Sequence, residues 1–239
     1  MNIETLKFDT KPTLKISVIS DVVCPWCYIG KRRLESAISK LSDKYTFDVE
    51  YFPFELNPQM PVSGADQKEY LTRKFGSESK YEQLTGHVSN VAAQHGLSFN
   101  FNAQSISPNT RKAHRLIQLA KEDGKQLELV EAFFKAYFTD GVDLSKDENL
   151  ISLAERCGLD REKVANFLKT KEGEAEVEMA ERQWQNAGVT GVPFYVIDNK
   201  YGISGAQSPE AFIQAFTEIA DAKKVTSTGE ACDVDGNNC

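Results

Sequence analysis

Hydrophobic positions along the chain follow two different periods. Residues 14–20 (LKISVIS) form a compact run rich in β-branched side chains, and residues 47–54 alternate between apolar and polar, so both are predicted to be strands. Between them, apolar residues recur at helical spacing and define one helix face: Leu34, Ala37, Ile38 and Leu41. The first sixty residues are therefore predicted to form a strand–helix–strand unit.

From about residue 61 to residue 187 the spacing is helical throughout, with glycine and proline at the breaks. Helices are predicted over residues 67–75, 81–94, 110–122, 127–138, 148–157, 161–168 and 172–186. Strand patterns return at 192–197 and 201–204, and an apolar face over 209–220 predicts a final helix.

Two β-rich halves thus flank a helical block. Because neither half can bury a sheet alone, we predict an α/β fold with one mixed sheet built from residues 1–60 and 188–220, into which a helical domain, 61–187, is inserted. An independent helical domain is the alternative. Residues 221–239 are polar and charged and are predicted to form a flexible C-terminal tail.

Composition narrows the function classes. The chain has 239 residues, 41% of them hydrophobic, which is ample for a core without disulfide staples. Its formal net charge is −7 and its only dense basic cluster is residues 31–33, so nucleic acid is not an expected partner. No apolar run is long enough for a membrane span. The first ten residues do not resemble a secretory signal, so we expect a cytoplasmic protein; the oligomeric state stays open.

Cys24 and Cys27 form a CPWC motif between the first strand and the first helix. Pro25 suits the first helical position, which places Cys24 at the N-cap, where the positive end of the helix dipole favours the thiolate. Cys27 lies one turn further, on the buried face. We therefore expect Cys24 to be the exposed nucleophile and Cys27 the shielded, resolving thiol.

Two other uses of the pair compete with redox chemistry. A CxxC motif can be half of a zinc site, but the remaining cysteines near the end, Cys232 and Cys239, are separated by six residues, wider than a usual zinc knuckle. No metal site is therefore predicted. The pair could also be a plain turn. A strand–CxxC–helix context favours the redox use.

A second signal lies in GVPF at residues 191–194. Proline at the start of a strand cannot donate to the ladder, and the Val192–Pro193 bond can be cis, which would leave the Val192 backbone free to pair with an extended substrate. An ordinary trans proline at a strand edge is the alternative. Trp26 and Phe194, with Tyr28, are candidates for an apolar collar around the cysteines, suited to an unfolded peptide or an aromatic ligand.

Together, CPWC, the helical insertion and GVPF resemble the DsbA-like thioredoxin-fold family, over roughly residues 14–220. SDVVCPWCYIGKRRLE, FPFELNP at 52–58 and NTRKAHRL at 109–116 are similar to its FrnE-like branch, which groups with 2-hydroxychromene-2-carboxylate isomerases and kappa-class glutathione transferases. The resemblance implies a thioredoxin fold with an inserted helical domain. It also implies protein disulfide oxidoreductase or isomerase activity, with Cys24 as nucleophile, Cys27 as resolving cysteine and Pro193 as a cis-proline facing them.

The same resemblance sets expectations for partners. Thiol- or disulfide-containing proteins or peptides are the expected substrates and a cellular thiol the expected reductant; no cofactor is required, and glutathione is a candidate co-substrate. The alternative is a glutathione-dependent isomerase or transferase acting on an aromatic or polyketide-like molecule. Those relatives carry serine where Cys24 stands, so the presence of both cysteines favours the redox function.

Three further residues or pairs are candidates. His114, within NTRKAHRL, is expected either to line the cleft, as in isomerase relatives, or to be a packing histidine. Asp21 is a candidate proton relay to Cys27 or a cap of the turn that ends the strand. Cys232 and Cys239 enclose a turn-favouring loop, and either shuttle disulfides to the CPWC pair or are incidental thiols.

Overall fold

The strands confirm the mixed sheet expected from the sequence. The computed structural model describes residues 11–228, with side chains as far as residue 223. Its strands are β1 (Thr13–Ser20), β2 (Thr46–Pro53), β3 (Ala65–Asp66), β4 (Ile106–Ser107), β5 (Phe194–Ile197) and β6 (Tyr201–Ser204). The main sheet has the order β2-β1-β5-β6. β1 is parallel to β2 and antiparallel to β5, which pairs antiparallel with β6.

The helices lie where helical spacing predicts them. Within the described residues they are α1 (Pro25–Leu41), α2 (Gln67–Phe75), α3 (Glu78–Ala93), α4 (Arg111–Glu122), α5 (Gln126–Phe138), α6 (Asp147–Arg156), α7 (Arg161–Leu168), α8 (Glu174–Asn186) and α9 (Pro209–Thr228). None of these helices is both long and apolar enough to cross a membrane. α8 begins two residues later than predicted because Gly173, with φ of 82°, has a left-handed conformation that cannot belong to the helix.

The two faces of the sheet are covered by different helices. Leu14, Ile16 and Val18 of β1 belong to the main hydrophobic core, which α1, α5 and α9 share. Ile19 points to the opposite face, where it packs with Trp184 of α8. This alternation is what the period of a strand requires, and each fully buried aliphatic side chain contributes about 1.5–3 kcal/mol of transfer free energy.

The inserted helices share that core rather than forming a separate one. The ring of Tyr28, on α1, stacks on Phe134 of α5 with centroids 4.9 Å apart, and on Phe99 with centroids 5.9 Å apart. Aromatic pairs at these separations add stability beyond their buried area. The start of α1, where the cysteines lie, is therefore held between the sheet and the insertion.

One edge of the sheet is covered by side chains. Tyr51 lies on β2, an outer strand, and its backbone N–H donates to Oε1 of Gln126 at 2.9 Å. Nε2 of Gln126 donates to the Tyr51 carbonyl at 3.0 Å, and Nε2 of Gln118 donates to it at 3.1 Å. The amide of Gln126 thus pairs with the strand as a further backbone segment would.

The structure corrects two sequence-based expectations. The short pair β3–β4 was not predicted, because two-residue strands carry no periodic signal. α9 was expected to end at residue 220, and the flexible tail to begin at 221, but the helix continues to Thr228. Lys223 stabilises the extra turns: its Nζ lies 2.6 Å from Oδ2 of Asp198 and donates to the Thr13 carbonyl at 3.1 Å. Cys232 and Cys239 lie outside the described residues.

Candidate active site

Cys24 and Cys27 occupy the first turn of α1, as expected. Cys24 is the N-cap residue, with an extended backbone, and Pro25 is the first helical residue. The Cys24 carbonyl accepts the first intrahelical hydrogen bonds, from the N–H of Cys27 at 3.0 Å and of Tyr28 at 3.4 Å. Both cysteines are free thiols. The helix start therefore positions two sulfur atoms one turn apart.

Cys24 is less exposed than the sequence suggests. Only 5% of its surface is accessible, so the expectation of an exposed nucleophile is wrong. The loop before β5 covers it, since Sγ of Cys24 lies 3.7 Å from the Val192 carbonyl and donates to it. Cys24 nevertheless lines the mainly apolar cavity described below, and a substrate can reach it from there.

Cys27 is shielded, with 2% of its surface accessible. Burial raises its pKa well above the ordinary value, and the neighbouring Cys24 raises it further. The Ser20 hydroxyl and the Asp21 backbone N–H lie against the sulfur and lower the pKa, but not enough to cancel burial. Cys27 therefore rests as a protonated thiol and suits the second, resolving step.

The Val192–Pro193 peptide is cis, as the sequence suggests. The Pro193 carbonyl accepts from the N–H of Gly205 at 2.8 Å, which fixes this loop to the end of β6. The proline ring packs directly against α1 at Gly30, where a Cβ atom would lie only 3.3 Å from Cγ of Pro193. The loop and the cysteine helix are thus in van der Waals contact.

A cavity of about 370 Å³ opens beside Cys24. Its wall combines Trp26, Met60 and Val192 with side chains of the inserted domain, chiefly apolar ones: Tyr70, Leu71, Phe75, Leu84, Val88, Phe101, Tyr137 and Phe138. Trp26, Leu56 and Phe75 are each more than a third exposed and lie in its lining. The residues from α2 and α3 carry no sequence signal of their own, since apolar residues at helical spacing look like ordinary core.

The other predicted site residues lie elsewhere. Phe194 is not in the cavity lining; it packs with Ile19 and Trp184 on the α8 face of the sheet. His114 also stays out of the lining, buried at the start of α4. Its Nε2 lies 3.3 Å from Oδ1 of Asp21, a residue that does line the cavity.

Asp21 and His114 form a buried pair, with 1% and 2% of their surfaces accessible. Oδ2 of Asp21 accepts from the N–H of Leu56 at 2.8 Å, and Oδ1 accepts a long bond from the N–H of Val23 at 3.5 Å, which agrees with the capping interpretation. Burial acts to lower the pKa of His114, but Asp21 and the nearby carboxylates outweigh it and raise the pKa. The Asp21–His114 contact was not foreseen from the sequence.

The other side chains of NTRKAHRL, which belong to the insertion, bind the segment after β2 and the α7–α8 segment. Nδ2 of Asn109 donates to the Met60 carbonyl at 2.8 Å, and Nε of Arg111 donates to Oε1 of Glu55 at 2.8 Å. Arg115 is buried and donates to carbonyls of the α7–α8 segment, those of Phe167, Thr170 and Glu172. The motif therefore mainly stabilises the packing of these segments, and His114 is its member nearest the cysteines.

Two of the three basic residues after CPWC are neutralised by carboxylates. Lys31 and Arg32 both pair with Glu131 of α5 and with Glu35. Burial alone would raise the pKa of Glu131, but hydrogen bonds from Arg32 and Lys31 lower it to about 2. This cluster ties α1 to the insertion beside Tyr28, whose hydroxyl donates to Glu131 at 2.8 Å.

A family model described as "DSBA-like thioredoxin domain" matches residues 15–217. The chain belongs to this family. The match spans nearly all of the main sheet, the insertion and the first nine residues of α9, so the DsbA-like resemblance and the thioredoxin fold with inserted helices are both confirmed.

Individual proteins and solved structures are also similar to this DsbA-like protein. It is 30% identical over 207 residues to YwbO of Bacillus subtilis, described as uncharacterized, covering 86% of this chain and 97% of that one. A Streptomyces coelicolor structure titled a probable DsbA oxidoreductase is 35% identical, with a TM-score of 0.82, covering 87% and 90% of the two chains. The cytosolic disulfide reductase DsbM of Pseudomonas aeruginosa, solved with GSH, shares the fold at 16% identity (TM-score 0.63; 87% and 99% covered).

Proposed function

We propose that this DsbA-like protein is a thiol–disulfide oxidoreductase in which Cys24 exchanges with the substrate and Cys27 resolves the mixed disulfide. One observation carries the proposal: Cys24 lies at the start of α1 in the wall of the cavity, with the thiol of Cys27 one turn behind it. Because Cys27 is shielded and its pKa is raised, Cys24 is the better first nucleophile.

The cavity wall supports an apolar substrate. Most of its lining is hydrophobic, and the acidic, basic or imidazole side chains there are Asp21, Lys74 and His87. We therefore propose a disulfide or thiol flanked by apolar groups, in a protein, a peptide or a small molecule. Glutathione, with which DsbM was solved, is a candidate co-substrate. The cellular thiol reductant and the cytoplasmic location stay predictions.

The test is reduction of insulin by dithiothreitol, followed by the precipitation of its free B chain. The wild type should accelerate precipitation, and Cys24→Ser should abolish the acceleration. Cys157→Ser is the matched control, because Cys157 follows α6 and is absent from the cavity lining. Loss of all exchange together with glutathione-dependent isomerase activity retained by Cys27→Ala would refute the proposal in favour of the isomerase alternative.

The C-terminal pair, Cys232 and Cys239, stays a proposal, and the fold restricts it. Contacts with Thr13 and Asp198 hold Lys223 next to the beginning of β1. Cys24 follows the other end of that strand. The eight residues of β1 span about 23 Å. The four residues from Thr228 to Cys232 reach about 14 Å when fully extended, whereas the eleven residues from Thr228 to Cys239 reach about 36–40 Å. Cys239, unlike Cys232, is therefore within reach of Cys24 of the same chain.

We therefore propose that the tail pair shuttles disulfides to the CPWC pair of the same chain, through Cys239. Slow oxidation of Cys27→Ser should trap a monomeric mixed disulfide between Cys24 and the tail, and its yield should not depend on protein concentration. Cys232→Ser/Cys239→Ser in the same background is the control and should not form this species. A trapped species that is a disulfide-linked dimer, with a yield that rises with protein concentration, would contradict exchange within one chain.

A further inference from the structure

The resolving step poses a chemical problem that the cysteines alone do not solve. Cys27 is buried and its pKa is raised, so it holds its proton, yet it must attack as a thiolate. A base is needed within reach of a site from which water is largely excluded. Among the described residues, His114 can serve as this base. Ser20 links it to Cys27, and Asp21 contacts its ring.

The polar groups run from Cys27 towards α4. The Ser20 hydroxyl lies against the Cys27 sulfur. Ser20 and His114 also line one small cavity of about 10 Å³, the size of a single water molecule, whose other walls are mainly apolar. On the other side of the imidazole ring, Nε2 of His114 contacts Oδ1 of Asp21, and Asp21 lines the large cavity beside Cys24.

We propose that His114 takes up the proton that Cys27 releases, with Ser20 and the small cavity linking the two and Asp21 orienting the imidazole. This inference rests on the proposed function. It makes His114 a positioning residue for the proton of the second step, because its ring acts through Ser20 and does not touch the reacting sulfurs.

The step balances as follows for a reduced protein and a substrate disulfide. The Cys24 thiolate attacks, the substrate S–S bond breaks, a mixed disulfide forms and one substrate thiolate leaves. Cys27 then passes its proton to His114, its sulfur attacks Sγ of Cys24, and the second substrate thiolate leaves. The proton returns through Asp21 to the large cavity, where the leaving thiolate takes it. Two electrons pass from the cysteine pair to the substrate.

The charges around His114 favour its protonated form. Carboxylates face the ring from three segments: Asp21 before α1, Glu55 after β2 and Glu181 on α8, while Arg111 of its own helix pairs with Glu55. Burial opposes them, yet the pKa of His114 stays above its ordinary 6.5. Since only the neutral ring can accept a proton, the rate of the second step should rise with pH through that pKa.

The test follows both steps with 5,5′-dithiobis(2-nitrobenzoate). In a background in which Cys157, Cys232 and Cys239 are serine, the reduced full-length chain should release one thionitrobenzoate as Cys24 reacts and a second as Cys27 closes the disulfide. His114→Gln should leave the first phase unchanged, slow the second by about 100-fold and remove the inflection from its pH profile. His95→Gln, at the end of α3, is the control and should alter neither phase.

Asp21→Asn provides a second criterion, because it keeps the imidazole but removes its anionic partner. The inflection should then move to lower pH. An inflection that persists in His114→Gln, equal slowing of both phases, or an inflection unmoved by Asp21→Asn would overturn the role of His114. Failure of the wild type to release the second thionitrobenzoate would instead overturn the proposed function, so the two failures are distinguishable.

Discussion

Gly30 marks the closest approach between the cysteine helix and the strand that follows the cis-proline. A Cβ atom at this position would lie 2.2 Å from Oη of Tyr195 and 3.3 Å from Cγ of Pro193. Gly30 lies within α1, so alanine would gain about 0.8–1.0 kcal/mol of helix propensity. Overpacking a close-packed core typically costs about 1–3 kcal/mol. These two effects oppose each other in Gly30→Ala.

Gly86 allows the two effects to be separated. It also lies inside a helix, α3, but a Cβ atom there would meet nothing within 4 Å. Gly86→Ala should therefore be stabilised by the propensity gain alone. The difference in free energy of unfolding between the two alanine variants is then the overpacking cost, which we expect to be about 1–3 kcal/mol in favour of Gly86→Ala. Urea unfolding of the reduced proteins, followed by circular dichroism, measures it.

Tyr195→Phe identifies the clashing atom. Among the described residues, Oη of Tyr195 is buried without a hydrogen-bond partner, so removing it sacrifices no bond and should leave stability unchanged or slightly higher. Combined with Gly30→Ala, it should recover at least half of the overpacking cost. Equal stability changes for the two glycine variants, or no recovery in the double variant, would refute the packing argument.

Further predictions concern buried and titrating groups. Arg115→Met should lower the free energy of unfolding by about 3 kcal/mol, because three carbonyls lose a charged donor; a urea titration showing a loss below about 1 kcal/mol would contradict this. Glu131 has a pKa of about 2 in the fold, so its stabilisation is present above its ordinary 4.5 and disappears as pH falls towards 2. The stability gap between wild type and Glu131→Gln should therefore narrow between pH 7 and pH 3. Burial and the neighbouring Arg33 lower the pKa of His95 in the folded protein. The wild type should therefore lose stability relative to His95→Gln as pH falls below 6.5. Free energies of unfolding that change in parallel with pH for the two proteins would contradict this effect of His95.

Local patterns were sufficient for the elements and for the cysteine pair. The alternation of β1 and the proline at the first position of α1 are properties of a few consecutive residues, and they placed Cys24 at the N-cap correctly. The burial of Cys24 could not be predicted in this way. Its cover comes from Val192, 168 positions away, and such a contact leaves no mark on the pattern around CPWC.

The same limit explains the other differences. Asp21 and His114 meet across 93 positions, and each alone looks like a common cap or packing residue. Phe194 was assigned to the site by sequence proximity to Pro193, but the alternation of β5 turns it to the α8 face. α9 continues beyond its apolar pattern because Lys223 contacts Thr13, on β1, and Asp198, in the turn after β5; helical periodicity does not report such contacts.

The side chain of Gln126 has a consequence for how this molecule meets others. By satisfying both backbone groups of Tyr51, it removes a pair of donor and acceptor positions that an extended chain would need in order to lengthen the sheet at β2. An extended chain therefore gains little by pairing with β2 at Tyr51, which lowers the tendency of two molecules to associate through that edge of the sheet.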